Sequence, residues 1–196
     1  MINISNIKKT FYSQLGEEKS VFNGLNLEIN QGDFISVIGS NGAGKTTLLN
    51  SISGNIELDD GCIELDGQDI STMAKHKRGE YISKVYQNPA MGTAPSMTIF
   101  ENLSMADNKG KTFGLSLGLN RSRKEYYKAL LKELDLGLEN HLITHNLQDA
   151  IRYGNRLIML HNGEIILDIK GKEKEELTQD ALMEIFQKKA TYSDVM

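Results

Sequence analysis

Cysteine and proline are almost missing from this chain. The single cysteine, Cys62, has no partner for an internal disulfide and cannot build a cysteine cluster for zinc, so nothing requires an oxidising compartment. Two prolines, Pro89 and Pro95, leave no Pro-rich linker. No apolar run is long enough to span a bilayer, and the polar, mixed start MINISNIKKT does not read as a signal peptide. A strong charge of one sign is lacking too: 22 Lys+Arg against 26 Asp+Glu give a net charge of −4, no general field for capturing nucleic acid. Secreted, membrane-spanning and collagenous classes are thereby excluded. What remains is a chain of 196 residues, 39% hydrophobic and 24% charged, long enough for one substantial core. Its 18 glycines point to turns, and an intracellular α/β domain is the expectation.

Periodicity divides the chain into short elements. Met1–Asn30 reads as β-rich, with Val21, Leu25, Leu27 and Ile29 alternating with polar neighbours. After the Gln31-Gly32 turn, Phe34–Ile38 is a mostly apolar run of β-formers; a run apolar on both faces suits a buried parallel strand. It stops at Gly39, and Thr46–Ile52 follows with helical placing of Leu48, Leu49 and Ile52. Turn residues on either side make Cys62–Leu65 part of a small hairpin. Tyr81–Tyr86 reads as a further strand. Ser122–Leu136 predicts a helix with Tyr126, Leu130, Leu131 and Leu134 on one side. Gln148–Tyr153 reads as helix, and Arg156–Leu160 and Glu164–Asp168 as a hairpin about Asn162-Gly163. Leu177–Lys188 is an amphipathic helix.

The chemically informative stretch is Gly39-Ser40-Asn41-Gly42-Ala43-Gly44-Lys45-Thr46-Thr47, which fits G-x-x-x-x-G-K-[ST]. Such a loop wraps successive backbone N–H groups around the oxygens of a nucleotide triphosphate. Lys45 supplies a mobile cation for the β- and γ-phosphates, and the Thr46 hydroxyl can ligate Mg²⁺. A helix beginning near Lys45 adds the partial positive charge of its N-terminus. The loop also sits between an apolar strand and a helix, the context the motif needs.

Around this loop the sequence resembles the ATP-binding subunits of ABC transporters over roughly Ile2–Leu167. The resemblance rests on EINQGDFISVIGSNGAGKTTLLNSISG, on Val85-Tyr86-Gln87, on Thr144-His145-Asn146 and on RLIMLHNGEII, in that order. It implies an α/β P-loop NTPase fold of the ABC type, with a mixed sheet, an N-terminal antiparallel β part and a reduced helical subdomain. One domain over 1–196 is expected, its core formed by 1–88 and 143–170, a partial helical subdomain by 89–142, and a C-terminal helix by 177–188. Phe11 corresponds to the aromatic that stacks on adenine, with Tyr12 its rival. Gln87 corresponds to the glutamine that reaches Mg²⁺ and the attacking water and senses the permease, and His145 to the switch histidine that contacts the γ-phosphate. ATP and Mg²⁺ are the implied cofactors. The implied partners are a membrane-spanning permease, a second ATP-binding subunit in a homodimer and an external solute-binding protein; nucleic acid is not among them. The implied location is cytoplasmic, on the inner face of the plasma membrane. Pro89–Leu103 resembles importers of small organic solutes such as amino acids.

Two parts of the family pattern have no counterpart. There is no LSGGQ-type signature, since the chain lacks any Gly-Gly dipeptide, and no apolar strand ending in Asp-Glu to supply a Walker B glutamate. Leu136–Leu142 resembles the lead-in to the signature, whereas Ile143-Thr144-His145 resembles the end of a strand two elements later. Two helices and about two strands are missing between them, on the order of 50–60 residues. In the family the strand ending at the switch histidine lies beside the strand feeding the phosphate loop, and the Walker B strand lies beyond it. The expectation is therefore a break or strained backbone between Glu139 and Thr144, most simply at Leu142 and Ile143. A transporter ATPase is thus weighed against a non-catalytic or truncated module that binds MgATP without turnover. A two-cassette ATPase of translation or repair needs a longer chain, and a GTPase needs N-K-x-D, which Asn108-Lys109-Gly110-Lys111 does not complete.

Overall fold

A computed structural model describes residues 1–86, 88–109, 119–135 and 147–193. The chain divides into two compact units, Met1–Ala74 with Thr144–Met196, and Lys75–Ile143. The first holds both sheets. Strands β1 (Ile2–Tyr12) and β2 (Glu18–Ile29) form a long antiparallel hairpin, and β1 also pairs with β4 (Asp60–Leu65), which turns through Asp66-Gly67 into the short β5 (Gln68–Asp69). The resulting sheet has the order β2-β1-β4-β5. These strands bury Ile4, Phe22, Leu25, Leu27 and Ile63; register shifts in the β1–β2 ladder let Phe22 and Leu25, three residues apart, both turn inward.

The second sheet has the order β3-β6-β7, from β3 (Ile35–Gly39), β6 (Arg156–His161) and β7 (Glu164–Lys170). Strand β3 runs parallel to β6, with Gly39 opposite Leu160, and β7 returns antiparallel after the Asn162-Gly163 turn. Helix α1 (Lys45–Ile52) follows β3, burying Leu48 and Ile52 and leaving Leu49 outside. Ala150 of α5 (Leu147–Arg152) and Leu182 of α7 (Gln179–Ser193) form a core cluster with Leu157 and Met159 of β6. Between them α6 (Lys172–Glu175) buries Lys174, whose ammonium donates to the carbonyls of Ile151 and Tyr153 at the end of α5. Burial lowers the Lys174 pKa, and the two carbonyls supply the contacts that water would otherwise give.

The other unit contains α2 (Lys75–Arg78), a 3₁₀ turn over Pro89–Met91, α3 (Ile99–Asp107) and α4 (Arg121–Asp135). Helix α3 begins in a capping box: the Thr98 hydroxyl accepts from the Glu101 N–H, and the Glu101 carboxylate accepts from the Thr98 N–H at 2.7 Å. Helix α4 corrects the sequence reading by one position. Tyr127, not Tyr126, is buried, because its hydroxyl donates to Asp107 of α3 at 3.1 Å, while Tyr126 remains exposed.

A second correction concerns the strands. Residues 81–86 form none, and Val85 is 89% exposed. A β-run persists only beside a hydrogen-bonded neighbour, and among the described residues this one has none. The Phe34–Ile38 run does become a parallel strand, begun at Ile35, but not a buried one. Every residue of β3 is half-buried, whereas Arg156–Leu160 of β6 are buried throughout. The cause lies in the sheet order: among the described residues β3 is an edge strand, paired only with β6, although both its faces are apolar. The backbone expectation for Glu139–Thr144 lies outside the described residues.

One buried cation links the sheets. The Arg156 guanidinium donates to both carboxylate oxygens of Asp168 on β7, at 2.7 and 2.6 Å, to Asp33 at 2.7 Å and to the Glu28 carbonyl of β2 at 2.7 Å. The Asp168 contact, followed by Asp33, raises the arginine pKa, and the Asn30 N–H, followed by Arg156, holds the Asp33 carboxyl below its ordinary 3.8. Replacing Arg156 with Ala strands Asp33 and opens a cavity; the expected loss is about 3 kcal/mol, at the lower end for buried pairs because Asp168 is partly exposed. Urea unfolding measures it, and a loss under about 0.5 kcal/mol, the usual range of surface changes, contradicts the assignment. Because the folded Asp33 pKa is lowered, its contribution is present above 3.8 and is lost as pH falls through the lower folded value. Asp33→Asn should therefore flatten the acid limb of the stability profile.

Candidate functional site

The loop Gly39–Thr47 leaves β3 at Gly39 and enters α1 at Lys45. Local backbone chemistry sets its shape. The Ala43 N–H donates to the Ser40 carbonyl at 3.3 Å, and the Ala43 carbonyl accepts from the Gly163 N–H at 3.1 Å. Ala43 is buried, while Asn41 and Gly42 stay exposed. Gly44 precedes the helix in a left-handed conformation, φ 103°, and a Cβ there would meet Phe22 of β2 at 2.8 Å. The last glycine of the motif is therefore fixed twice, by its dihedral angle and by the strand beneath it.

The loop is electropositive. Helix α1 begins without a side-chain cap on its first amides and without an acidic residue in its first turn. Its leading N–H groups thus present donors and a partial positive charge outward. The Lys45 ammonium donates to the Gly39 and Ser40 carbonyls, both at 2.7 Å, which keeps the cation at the neck of the loop. Thr46 is exposed and Thr47 half-buried, so the Thr46 hydroxyl is open to an ion beside the helix end. An anion with several oxygens fits this set of donors. Among the described residues no group of three or more His, Cys, Asp or Glu side chains could hold a metal ion. A divalent cation here would rest on Thr46 and on the oxygens of the bound anion.

Phe11 lies near the end of β1, about two-fifths exposed. The Lys9 ammonium stands 5.5 Å from its ring centroid and is itself held by Asp59 at 2.7 Å, so the ring has one cationic neighbour of fixed position. Asp59 also accepts from the Thr10 N–H, and the Lys9 contact, with that N–H, lowers its pKa. Tyr12, the rival aromatic, is 71% exposed and points to the other face of the strand. Across the hairpin Phe11 is paired with Lys19, whose ammonium lies 3.7 Å from where a Gly42 side chain would begin. Pairing of β1 with β2 thus brings the Phe11 end of the hairpin to the tip of the loop. Gln87 and His145 lie outside the described residues. Lys19 was not among the residues expected from sequence: it belongs to no loop motif, and the register shift at Val21 takes away the alternation that would otherwise mark its face.

Comparison with known proteins gives the family and the fold. The ABC transporter family model matches residues 22–178, most of the chain. The tyrosine transport ATP-binding protein of Clostridioides difficile (strain R20291) is 36% identical over 95% of this chain and 99% of its own length. That match runs over 248 positions and takes in 95% of the 196 residues present here, about 186, so about 62 positions of it meet no residue of this chain. The spermidine/putrescine import ATP-binding protein PotA of Haemophilus influenzae (strain KW20 / Rd) is 29% identical over 88% of the chain, which spans 59% of its length. Among solved structures, the dimeric bacterial ABC transporter cassette MJ0796 has a TM-score of 0.63 at 21% identity, covering 87% of this chain and 98% of that one. MJ1267, an ATP-binding cassette of an ABC transporter, has a TM-score of 0.64 at 19% identity, covering 95% and 98%. At these identities the likeness is one of fold, the α/β P-loop cassette.

The turn beneath the loop yields a test. A Cβ on Gly163 would lie 1.7 Å from the Val21 carbonyl oxygen, at φ 80°, so Gly163→Ala must push the β6–β7 turn away from β2 and strain the Gly163 N–H bond to Ala43. Gly67 has nearly the same φ, 81°, but nothing within 4 Å of its Cβ position. Gly67→Ala should cost about 1 kcal/mol for its dihedral alone, and Gly163→Ala at least about 2 kcal/mol more. Equal losses in urea unfolding would show that Gly163 does not support the loop.

Proposed function

This chain belongs to the ABC transporter family, and on that premise we propose that it binds MgATP and couples ATP binding and hydrolysis to import of a small organic solute through a separate membrane permease. The observation that carries this reading is the loop itself: an uncapped helix N-terminus, the Lys45 ammonium at its neck and an open Thr46 hydroxyl. It is supported by the extent of the match to the tyrosine transport ATP-binding protein, which makes an amino acid the first solute class to test. In this reading Phe11 stacks on adenine, residues 39–47 enclose the phosphates, Thr46 and Gln87 hold Mg²⁺, and His145 contacts the γ-phosphate. Mg²⁺ supplies neutralising charge to the phosphate oxygens. A second copy of the subunit and an external solute-binding protein complete the assembly, at the cytoplasmic face of the membrane. Among the described residues no helix is long and apolar enough to cross a membrane, so the path through the bilayer belongs to the permease in this reading.

A second reading, nucleotide binding without turnover, is favoured by the match's about 62 positions that meet no residue of this chain and by β3, which among the described residues pairs only with β6. The sequence holds neither a Walker B glutamate nor an LSGGQ signature, and hydrolysis draws on both. The segment that supplies them would also cover β3.

Calorimetry and phosphate release separate the two. MgATP should bind the parent, and Lys45→Ala should weaken binding tenfold or more, since a charge-assisted bond to phosphate is worth about 1.5–3 kcal/mol. Unchanged affinity for the variant removes the loop from both readings. Phosphate release no faster than that of Lys45→Ala supports the second reading; release near one per second, a slow but ordinary turnover, supports the first.

A further inference from the structure

We infer that Lys19 is a second phosphate-binding cation of this site, acting from β2 on the tip of the loop; the inference rests on the nucleotide-binding reading above. Strand β2 runs along the loop and meets it at successive points. Val21 and Phe22 touch the position where a Gly44 side chain would begin, at 3.3 and 2.8 Å, and the Lys19 ammonium is the nearest atom to the same position at Gly42, at 3.7 Å. A register shift of β2 against β1 at Val21 lets both Val21 and Phe22 reach the loop, and Lys19, two residues before it, reaches the loop tip. The opposing residue on β1 is Phe11.

Electrostatics gives the reason to expect an anion there. The N-terminus of α1, with no acidic residue in its first turn, contributes partial positive charge, and the Lys45 ammonium stands at the loop neck. Adding the Lys19 ammonium places like charges around one exposed turn. Among the described residues the Lys19 ammonium has no ion pair or hydrogen bond, whereas those of Lys8 and Lys9 on the neighbouring strand are paired with Asp60 and Asp59. An anion at the turn would be attracted by all three, the helix N-terminus, Lys45 and Lys19. A polyphosphate held by the loop amides is such an anion and lies within reach of a flexible lysine. Lys19 thereby adds affinity and draws the phosphates toward the Phe11 side.

The test is calorimetric titration of MgATP into the parent, Lys19→Gln and Lys19→Arg, at about 0.03 M and about 0.5 M salt. Lys19→Gln should weaken binding about three- to tenfold at low salt and much less at high salt, as for an exposed cation, and Lys19→Arg should restore the parent value. A merely structural lysine would shift affinity equally at both salt concentrations and would lower the urea midpoint, which Lys19→Gln should leave unchanged. Equal binding by Lys19→Gln and the parent at low salt overturns the inference while leaving the site intact. Failure of the parent to bind, or indifference to Lys45→Ala, overturns the nucleotide reading and this inference with it.

Discussion

Arg156 is a cation enclosed between two β-sheets, and its donors are satisfied in one arrangement only. Two go to Asp168 on the adjoining strand, and the remainder reach Asp33 and the Glu28 carbonyl, on the far side of the sheet boundary. In energy a buried pair of this kind roughly breaks even against apolar packing. In geometry it does not, because a guanidinium offers a rigid fork whose unpaired N–H groups would be costly. The placement of β2 against β6 and β7 follows from it.

The phosphate loop depends on that placement. Its chain is pressed from below by Phe22 and Val21 of β2, and anchored through Ala43 to Gly163 of the β6–β7 turn. The two supports come from different sheets, so the loop keeps its form only while the sheets keep theirs. A rigid loop is what a polyphosphate site needs: donors already directed outward bind without an ordering cost, and their mutual repulsion is relieved when the anion arrives.

The contrast between β3 and β6 shows what else the fold asks for. Both strands are rich in β-branched and other apolar residues, and they pair with each other in register. Yet β6, flanked by β3 and β7, is buried along Arg156–Leu160, while β3 is half-open along its whole length. Residues 81–86 have strand-forming composition and no strand. Both facts concern neighbours rather than the segments themselves, and they stand beside a relative whose match includes about 62 positions that meet no residue of this chain.

What the sequence determined by itself was local. Positive-φ glycines, the strand before Gly39, the helix after Lys45 and the turn at Asn162-Gly163 are written in short windows, because steric limits on φ and side-chain periodicity act over a few residues. The order of those windows was enough to mark the family resemblance. The α/β class and the course of most elements were legible for the same reason. Tertiary structure decided the rest. It chose Tyr127 over Tyr126 through a hydroxyl bond to Asp107, twenty residues away. It made Arg156 the tie between sheets through Asp33 and Glu28, more than 120 residues away in sequence. It set Lys19 beside Gly42 by strand pairing, and left residues 81–86 without a strand. Contacts of that range carry no signature in the segments that make them; their energy exists only once the chain has brought both partners together.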